Sequence, residues 1–224
     1  MKILAIDTST TACSVALLMN DDIKLSHKIA PMQQAKLILP MIDELLRTNN
    51  LDVNQLDALA FGCGPGSFTG VRIATSVMQG LAYASQLPLI SVSSLAAVAQ
   101  AAYTDLGWKK LLVAMDARIS EVYFGAYQIN DHGLAELIGA EIVSPPEKIK
   151  FPHENNWYGI GNGWLVYQDQ LSIKPNIIDD TRTPVASAVA LLAKEKHLKQ
   201  EWVSPEAALP VYLRDNVAIK SQPK

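Results

Sequence analysis

The chain has 224 residues, of which 49% are hydrophobic and only 18% charged, against about 25% charged in an ordinary globular protein. That composition excludes a disordered chain and supplies core for one large domain or two small ones. The net charge of −3, with no basic stripe, argues against autonomous nucleic-acid binding. A nucleic acid remains conceivable as the substrate of a complex whose basic surface lies on another subunit. The two cysteines, Cys13 and Cys63, lack metal-type spacing and read as buried reduced thiols. With no secretory h-region and no apolar run of spanning length, a soluble cytoplasmic protein is expected.

Lys2 to Ile6 is a short buried strand ending at Asp7, followed by a hydroxyl-rich turn, Thr8-Ser-Thr-Thr11. Ala12 to Met19 reads as the return strand of a hairpin, closed by Asn20-Asp-Asp22. Gln34 to Thr48 is helical, because Leu37, Met41 and Leu45, and likewise Ile38 and Ile42, recur at i, i+4. Pro40 either kinks this helix or marks its first turn. Leu56 to Phe61 is a strand, and Gly62-Cys-Gly-Pro-Gly-Ser-Phe-Thr-Gly70 leads from it into a second helix, Val71 to Ala82. Leu89 to Val92 is a strand, with Ser93 and Ser94 placed to cap an Ala-rich helix up to Ala102.

The opening pattern then returns. Lys110-Leu-Leu-Val-Ala-Met-Asp116 matches Lys2-Ile-Leu-Ala-Ile-Asp7, and a short turn leads to the return strand Val122 to Tyr127. The repeated order of strand, Asp turn and strand predicts two related lobes with a boundary near residues 103–109. Further on come a strand with a glycine turn over Trp157 to Gly163, an Ala-rich helix over Pro184 to Lys196, and a compact tail over Leu209 to Val217. Strands alternating with helices indicate α/β class.

Three stretches together resemble the bacterial TsaB (YeaZ) family: Ile3-Leu-Ala-Ile-Asp-Thr-Ser-Thr10 with Cys13-Ser-Val-Ala16, the loop Gly64-Pro-Gly-Ser-Phe-Thr-Gly-Val-Arg72, and Pro210-Val-Tyr-Leu-Arg214. Met115-Asp-Ala-Arg118 with Glu121-Val-Tyr123 fits as well. The resemblance implies two RNase H-like lobes of the actin-like, sugar-kinase and chaperone-ATPase type, the second reduced. The lobes would span 1–105 and 106–224, the tail from about 205 to 217 being a candidate to return to the first. It also implies a role as a non-catalytic scaffold or activator. The implied partners are the catalytic paralogue TsaD and the ATPase TsaE, in transfer of threonylcarbamoyl to N6 of adenosine 37 of tRNAs reading codons that begin with A. A homodimer in isolation, contact with tRNA only through the complex, and no membrane association follow from the same resemblance.

In that superfamily the hairpin turns hold a nucleotide phosphate. Asp7, Thr8, Ser9 and Thr10, with Asp116 from the second turn, are the candidate phosphate ligands. The other reading is that Asp7 and Asp116 hydrogen-bond their own turns. Turns built for phosphate carry Gly beside the Asp, and here Thr8 and Ala117 stand there. No cofactor is expected of the chain alone, and a nucleotide is conceivable only in the assembled complex. No metal is expected, because no two of His27, His132, His153 and His197 lie within one helical turn. His153-Glu154 does not continue into a zinc-protease helix. Ser67 is not a nucleophile elbow, because Pro65 takes the required Gly position. No catalytic residue is therefore assigned. An actin-like ATPase or kinase working at Asp7 and Asp116 is the alternative, and a glycoprotease-like peptidase the third reading.

The glycine loop carries no Walker lysine, and its glycines at 62, 64, 66 and 70 do not spell a dinucleotide fingerprint. Gly64, Pro65, Gly66, Ser67 and Thr69 read as a tight strand-to-helix turn with Ser67 or Thr69 as N-cap. Residual anion binding at the Ser67–Thr69 amides is the other reading. Both neighbouring helices are apolar on two sides. Either they are central core helices, or Leu37, Met41, Leu45, Gly70, Ile73, Ala74, Val77 and Met78 pack on a partner's equivalent pair, as the family resemblance implies.

Overall fold

A computed structural model describes residues 1–151 and 156–214. Strand β1 (Lys2–Asp7) lies at the centre of the first sheet, antiparallel to β2 (Ala12–Met19), which pairs with β3 (Asp22–Ile29). On the other side β1 runs parallel to β4 (Ala58–Gly64), and β4 to β5 (Leu89–Ser93). The sheet order is therefore β3-β2-β1-β4-β5. Helices α1 (Gln34–Thr48), α2 (Phe68–Ser85) and α3 (Ser94–Leu106) connect or follow these strands.

The second half repeats the plan. Strands β6 (Lys110–Asp116), β7 (Val122–Ile129) and β8 (Ala135–Ser144) form the antiparallel part. β6 also runs parallel to β9 (Tyr158–Ile160), and β9 to β10 (Ile178–Asp179). Read from β8, the order is β8-β7-β6-β9-β10, the same 3-2-1-4-5 path as the first sheet. The duplication inferred from Lys2–Asp7 and Lys110–Asp116 is thus a duplication of topology. The second copy is reduced, with β9 and β10 cut to three and two residues and α4 (Gly163–Val166) a single turn.

Burial follows the sequence pattern. Every residue of β4 is buried, as are nearly all of β1 and β2, so these strands read as continuous apolar runs covered on both faces. On one face, α1 and α2 close a core around Leu4, Ile6, Leu17, Ile38, Phe61 and Met78. On the other, α3 lies between the two sheets. Its Ala97 and Ala101 face the first sheet, and its Leu95, Val98, Ala99 and Ala102 face Leu111, Val113, Tyr127 and Ile160 of the second. Small residues on one stripe let α3 approach both sheets closely. α3 ends at Gly107, in left-handed conformation, close to the expected boundary.

Several expectations change. β4 begins at Ala58 and extends to Gly64, so the first third of the glycine segment is strand rather than loop. β3, β8, α4 and β10 carried weaker signals. β3 alternates polar residues with exposed Leu25 and Ile29, and β8 is interrupted by Gly139. Pro40 lies inside α1 on its exposed side rather than in the first turn.

The division at 105/106 does not follow the packing. Helix α5 (Ala186–Leu198) belongs to the second half in sequence, yet its Ala186, Val189, Ala190 and Ala193 pack on the first sheet beside Ile3, Ala5 and Ala60. The tail also returns. Val203 bridges Leu89, Gln79 Nε2 donates to the carbonyls of Pro205 and Ala208, and Val211 N donates to Cys63 O at 2.7 Å. Residues 215–217 of the expected tail lie outside the described residues.

Candidate functional site

The first hairpin turn sits at the carboxyl end of β1, beneath the strand-to-helix turn that joins β4 to α2. Asp7, Thr8 and Ser9 are essentially fully buried. The Asp7 carboxylate serves its own surroundings: Oδ1 accepts from Ser9 N at 2.9 Å and Ser9 Oγ at 2.8 Å, and Oδ2 accepts from Ser94 Oγ at 3.3 Å. Burial pushes its pKa above the usual carboxylate range, and the Ser9 and Ser94 hydrogen bonds only partly oppose that. Thr8 Oγ1 donates to Gly70 O at 2.7 Å, and Ser67 N donates to Ser9 O at 2.7 Å. Thr10 is half-buried; its Oγ1 accepts from Ala12 N, and its carbonyl takes a bond from Gln34 Nε2.

This arrangement explains the glycines. A Cβ on Gly62 would overlap Asp7 Oδ2, and one on Gly70 would overlap the Thr8 carbonyl. At Gly66 it would lie 2.6 Å from Ser9 O. Gly66 and Gly70 are required because the segment lies directly on the backbone of the Asp7–Ser9 turn, Gly62 because it lies on the Asp7 carboxylate, and Gly64 because it has φ 104° and faces the Val211 carbonyl. Ser67 is the N-cap of α2, its Oγ accepting from Gly70 N at 3.3 Å. The Ser67 amide is spent on Ser9 and the Gly70 amide on the cap, which leaves neither for an anion.

The residues therefore do not fit a nucleotide phosphate at the first turn. Its carboxylate is consumed internally, and the space a phosphate needs is filled by the backbone at Gly66 and Gly70. Among the described residues, no group of three or more His, Cys, Asp or Glu side chains comes together as a metal site. His27 lies on β3, His132 in the β7–β8 connection and His197 on α5; His153 and Glu154 lie outside the described residues. Burial pushes the Cys13 thiol up to about 11 and the Cys63 thiol up to about 12, so neither supplies a thiolate at neutral pH.

The second turn differs. Asp116 Oδ1 accepts from Arg118 N at 2.9 Å and Tyr167 OH at 2.8 Å, and Oδ2 pairs with Arg118 Nη1 at 3.3 Å. Arg118, Ile119 and Ser120 all have positive φ, between 54° and 63°, and all are exposed. The tail reaches this turn. Arg214 Nε donates to Glu121 Oε2 at 2.8 Å, and Arg214 Nη2 donates to the carbonyls of Ala117 and Arg118. Asp7 and Asp116 share no partner; each serves its own turn. Sequence reasoning named Ser94 as a cap and Arg214 and Glu121 as part of the family resemblance but gave none of them, nor Tyr167, a place at these turns, because their partners lie far away in the chain.

A further, part-buried group joins the lobes. Glu141 of β8 accepts from Ser93 Oγ, the N-cap of α3, and from the Tyr127 hydroxyl on β7. Burial and then the Glu141 charge hold the Tyr127 hydroxyl well above its ordinary range.

The helical residues assigned to a partner surface divide. Met41, Leu45, Ala74 and Met78 are buried in this chain's own core, and Gly70 is buried against Thr8. They leave no face for a partner, because the sheet beneath them already takes it. Leu37, Ile73 and Val77 stay partly exposed. Exposed Leu39, Phe68 and Tyr83 extend the outer side of the same two helices. Phe68 stacks under the Arg72 guanidinium at 3.6 Å, and Arg72 Nε donates to Tyr212 OH at 2.7 Å.

Comparison with known proteins agrees with this fold. A family model described as TsaD: tRNA N6-adenosine threonylcarbamoyltransferase matches residues 28–221. The tRNA threonylcarbamoyladenosine biosynthesis protein TsaB of Haemophilus influenzae is 39% identical over the whole chain and 98% of its own length. TsaB of Escherichia coli is 38% identical over the whole chain and 99% of its own length. The solved structure of YeaZ from Pseudomonas aeruginosa superposes with a TM-score of 0.91 at 43% identity, covering 95% of this chain and 99% of that one. With its duplicated α/β lobes and its glycine segment folded onto the first turn, the chain belongs to this TsaD-related family, as one of its TsaB (YeaZ) proteins of tRNA threonylcarbamoyladenosine biosynthesis.

Proposed function

We propose that this chain is a non-catalytic scaffold or activator subunit for threonylcarbamoyl transfer to N6 of adenosine 37, working in the cytoplasm with TsaD and TsaE. The observation that carries this reading is the closed first turn. A carboxylate that is buried, hydrogen-bonded to Ser9 and Ser94 and covered by the Gly66–Gly70 backbone is closed off from phosphate and metal. The chain then works by presenting a surface and needs no cofactor of its own. The docking face is the outer stripe of α1 and α2, centred on Leu37, Ile73 and Val77. Two copies occupy it as a homodimer when TsaD is absent. tRNA is contacted only through the assembled complex.

The test is a reconstituted mixture of TsaD, TsaE, the threonylcarbamoyl donor and tRNA, with and without this chain. Modification of adenosine 37 is expected to depend on the chain, and equal modification without it would overturn the proposal. Calorimetric titration of the isolated chain with magnesium and ATP is expected to show no micromolar site. Such a site, lost in Asp7→Ala, would favour the ATPase or kinase reading. Ile73→Glu with Val77→Glu is expected to abolish both the homodimer and the TsaD complex while the chain stays folded, because an interface of about 800 Å² per partner does not tolerate two buried charges.

A further inference from the structure

The second lobe holds a cavity that the closed first turn and the docking helices do not involve. Its volume is about 480 Å³, within the range of small-molecule sites. Its origin lies in the register of β7 and β8. Phe124 pairs with Ile142 and Ala126 with Ile138, so two steps along β7 span four along β8. Two extra residues bulge out of β8 there. Gly139, at φ 80°, has open space where a side chain would stand. The bulge separates the side chains of β8: Glu141 turns to Tyr127 and Ser93, while Ile138, Ala140 and Ile142 line the cavity with Phe124, Phe151 and Trp157.

The lining is chemically specific. The three aromatic rings are fixed against one another, Phe151 edge-on to Trp157 at 4.7 Å and Phe124 to Phe151 at 6.5 Å. Trp157 is 95% buried, yet its Nε1–H finds no acceptor among the described residues. The other indole of the same core, Trp164, is buried to a similar degree and donates to Leu112 O at 3.1 Å. Buried indole donors are ordinarily paired, so Trp157 carries a buried polar atom left over on a residue of the cavity wall. Lys150 adds an exposed ammonium to the same lining. Aromatic walls and a cation at the edge form a complementary set for one type of molecule.

We propose that this cavity binds a flat aromatic small molecule that carries an anionic group. The ring system lies among Phe124, Phe151 and Trp157, and the anion faces Lys150. No covalent chemistry is involved. The site is independent of the threonylcarbamoyl-transfer reading and shares no residue with the surface assigned to TsaD.

The test uses the full chain, uniformly labelled with nitrogen-15, and the aromatic anion 8-anilinonaphthalene-1-sulfonate as probe. The Trp157 indole resonance, assigned by its loss in Trp157→Phe, is expected to move saturably with one probe per chain. Lys150→Glu is expected to weaken the binding at least tenfold, and Ala140→Trp to abolish it by filling the cavity. The Trp164 resonance stays in place as the control for folding. The uncharged N-phenyl-1-naphthylamine is expected to bind at least tenfold more weakly. An unmoved Trp157 resonance at millimolar probe would overturn the proposal, as would undiminished binding in Ala140→Trp. Equal affinity for the neutral probe, or for Lys150→Glu, would overturn the assignment of an anionic ligand.

Discussion

The two hairpin turns, Asp7–Thr11 and Asp116–Glu121, occupy equivalent places in two copies of one topology, yet they are stabilised in opposite ways. The first is buried over Asp7–Ser9, its carboxylate held by Ser9 and Ser94 beside Gly62 and its backbone covered by Gly66 and Gly70. The second is outside, with three successive exposed residues at positive φ and its carbonyls tied down from the tail by Arg214. An aspartate at a hairpin corner is thus not a phosphate site by virtue of its position. What decides is whether the space above the turn is kept open, and here the neighbouring segment closes one turn while the tail clamps the other.

The largest way to break this contrast is at Gly70. Gly70→Ala forces a methyl group into the Thr8 carbonyl, and a loss of about 3 kcal/mol of stability is expected. Gly80→Ala, on the same helix with nothing near its Cβ, is expected to gain up to about 1 kcal/mol. Urea denaturation of the two variants measures the difference. Next comes Arg214→Ala, which removes the charge-assisted bonds to Glu121 and the turn carbonyls and is expected to cost about 2 kcal/mol. Amide exchange should quicken at residues 117–121 and stay unchanged at 7–11. Ile119→Gly is expected to stabilise by about 1 kcal/mol, because an exposed β-branched residue at φ 54° is replaced by one that adopts this conformation freely.

The smallest change at the atomic level is Asp7→Asn, which sharpens the comparison through pH. Burial raises the folded-state pKa of Asp7. Below the unfolded value of about 3.9 the group is protonated in both states and its native environment is fully favourable. As pH rises from there towards the folded value, the unfolded chain ionises first and stability is lost. The stability of Asp7→Asn relative to the parent chain is therefore expected to increase as pH is raised from about 4. Denaturation across that range checks the sign. A relative stability that fell with pH would mean a carboxylate stabilised in its charged form, as a phosphate or metal site requires.

The sequence revealed the fold more fully than the site. The repeat of Lys2–Asp7 in Lys110–Asp116 and the glycine segment were legible because strand period and turn chemistry are local. α1 was legible to its ends because its i, i+4 stripe is strong and uninterrupted. β8 was not, because its alternation is broken by the bulge at Gly139. Which apolar stripe of α1 and α2 faces the core was not legible either, since Met41 and Leu37 carry the same local signal and only the sheet beneath separates them. The closing of the Asp7 turn rests on Gly66, Gly70 and Ser94, some 60 to 90 residues away, and the clamp on the second turn rests on Arg214. Such pairings are set by tertiary packing and leave no periodic trace. The glycines were visible, but their purpose was visible only once Thr8 and Ser9 lay beneath them.

The most direct test of the account is Asp7→Asn in the reconstituted modification of adenosine 37, with folding confirmed by denaturation. A closed, non-catalytic turn requires the variant to support modification to within about twofold of the parent chain, since the amide preserves the shape of the turn. A folded variant that lowered the rate a hundredfold or more, about 2.7 kcal/mol of transition-state stabilisation, would place Asp7 in the chemistry and contradict the account.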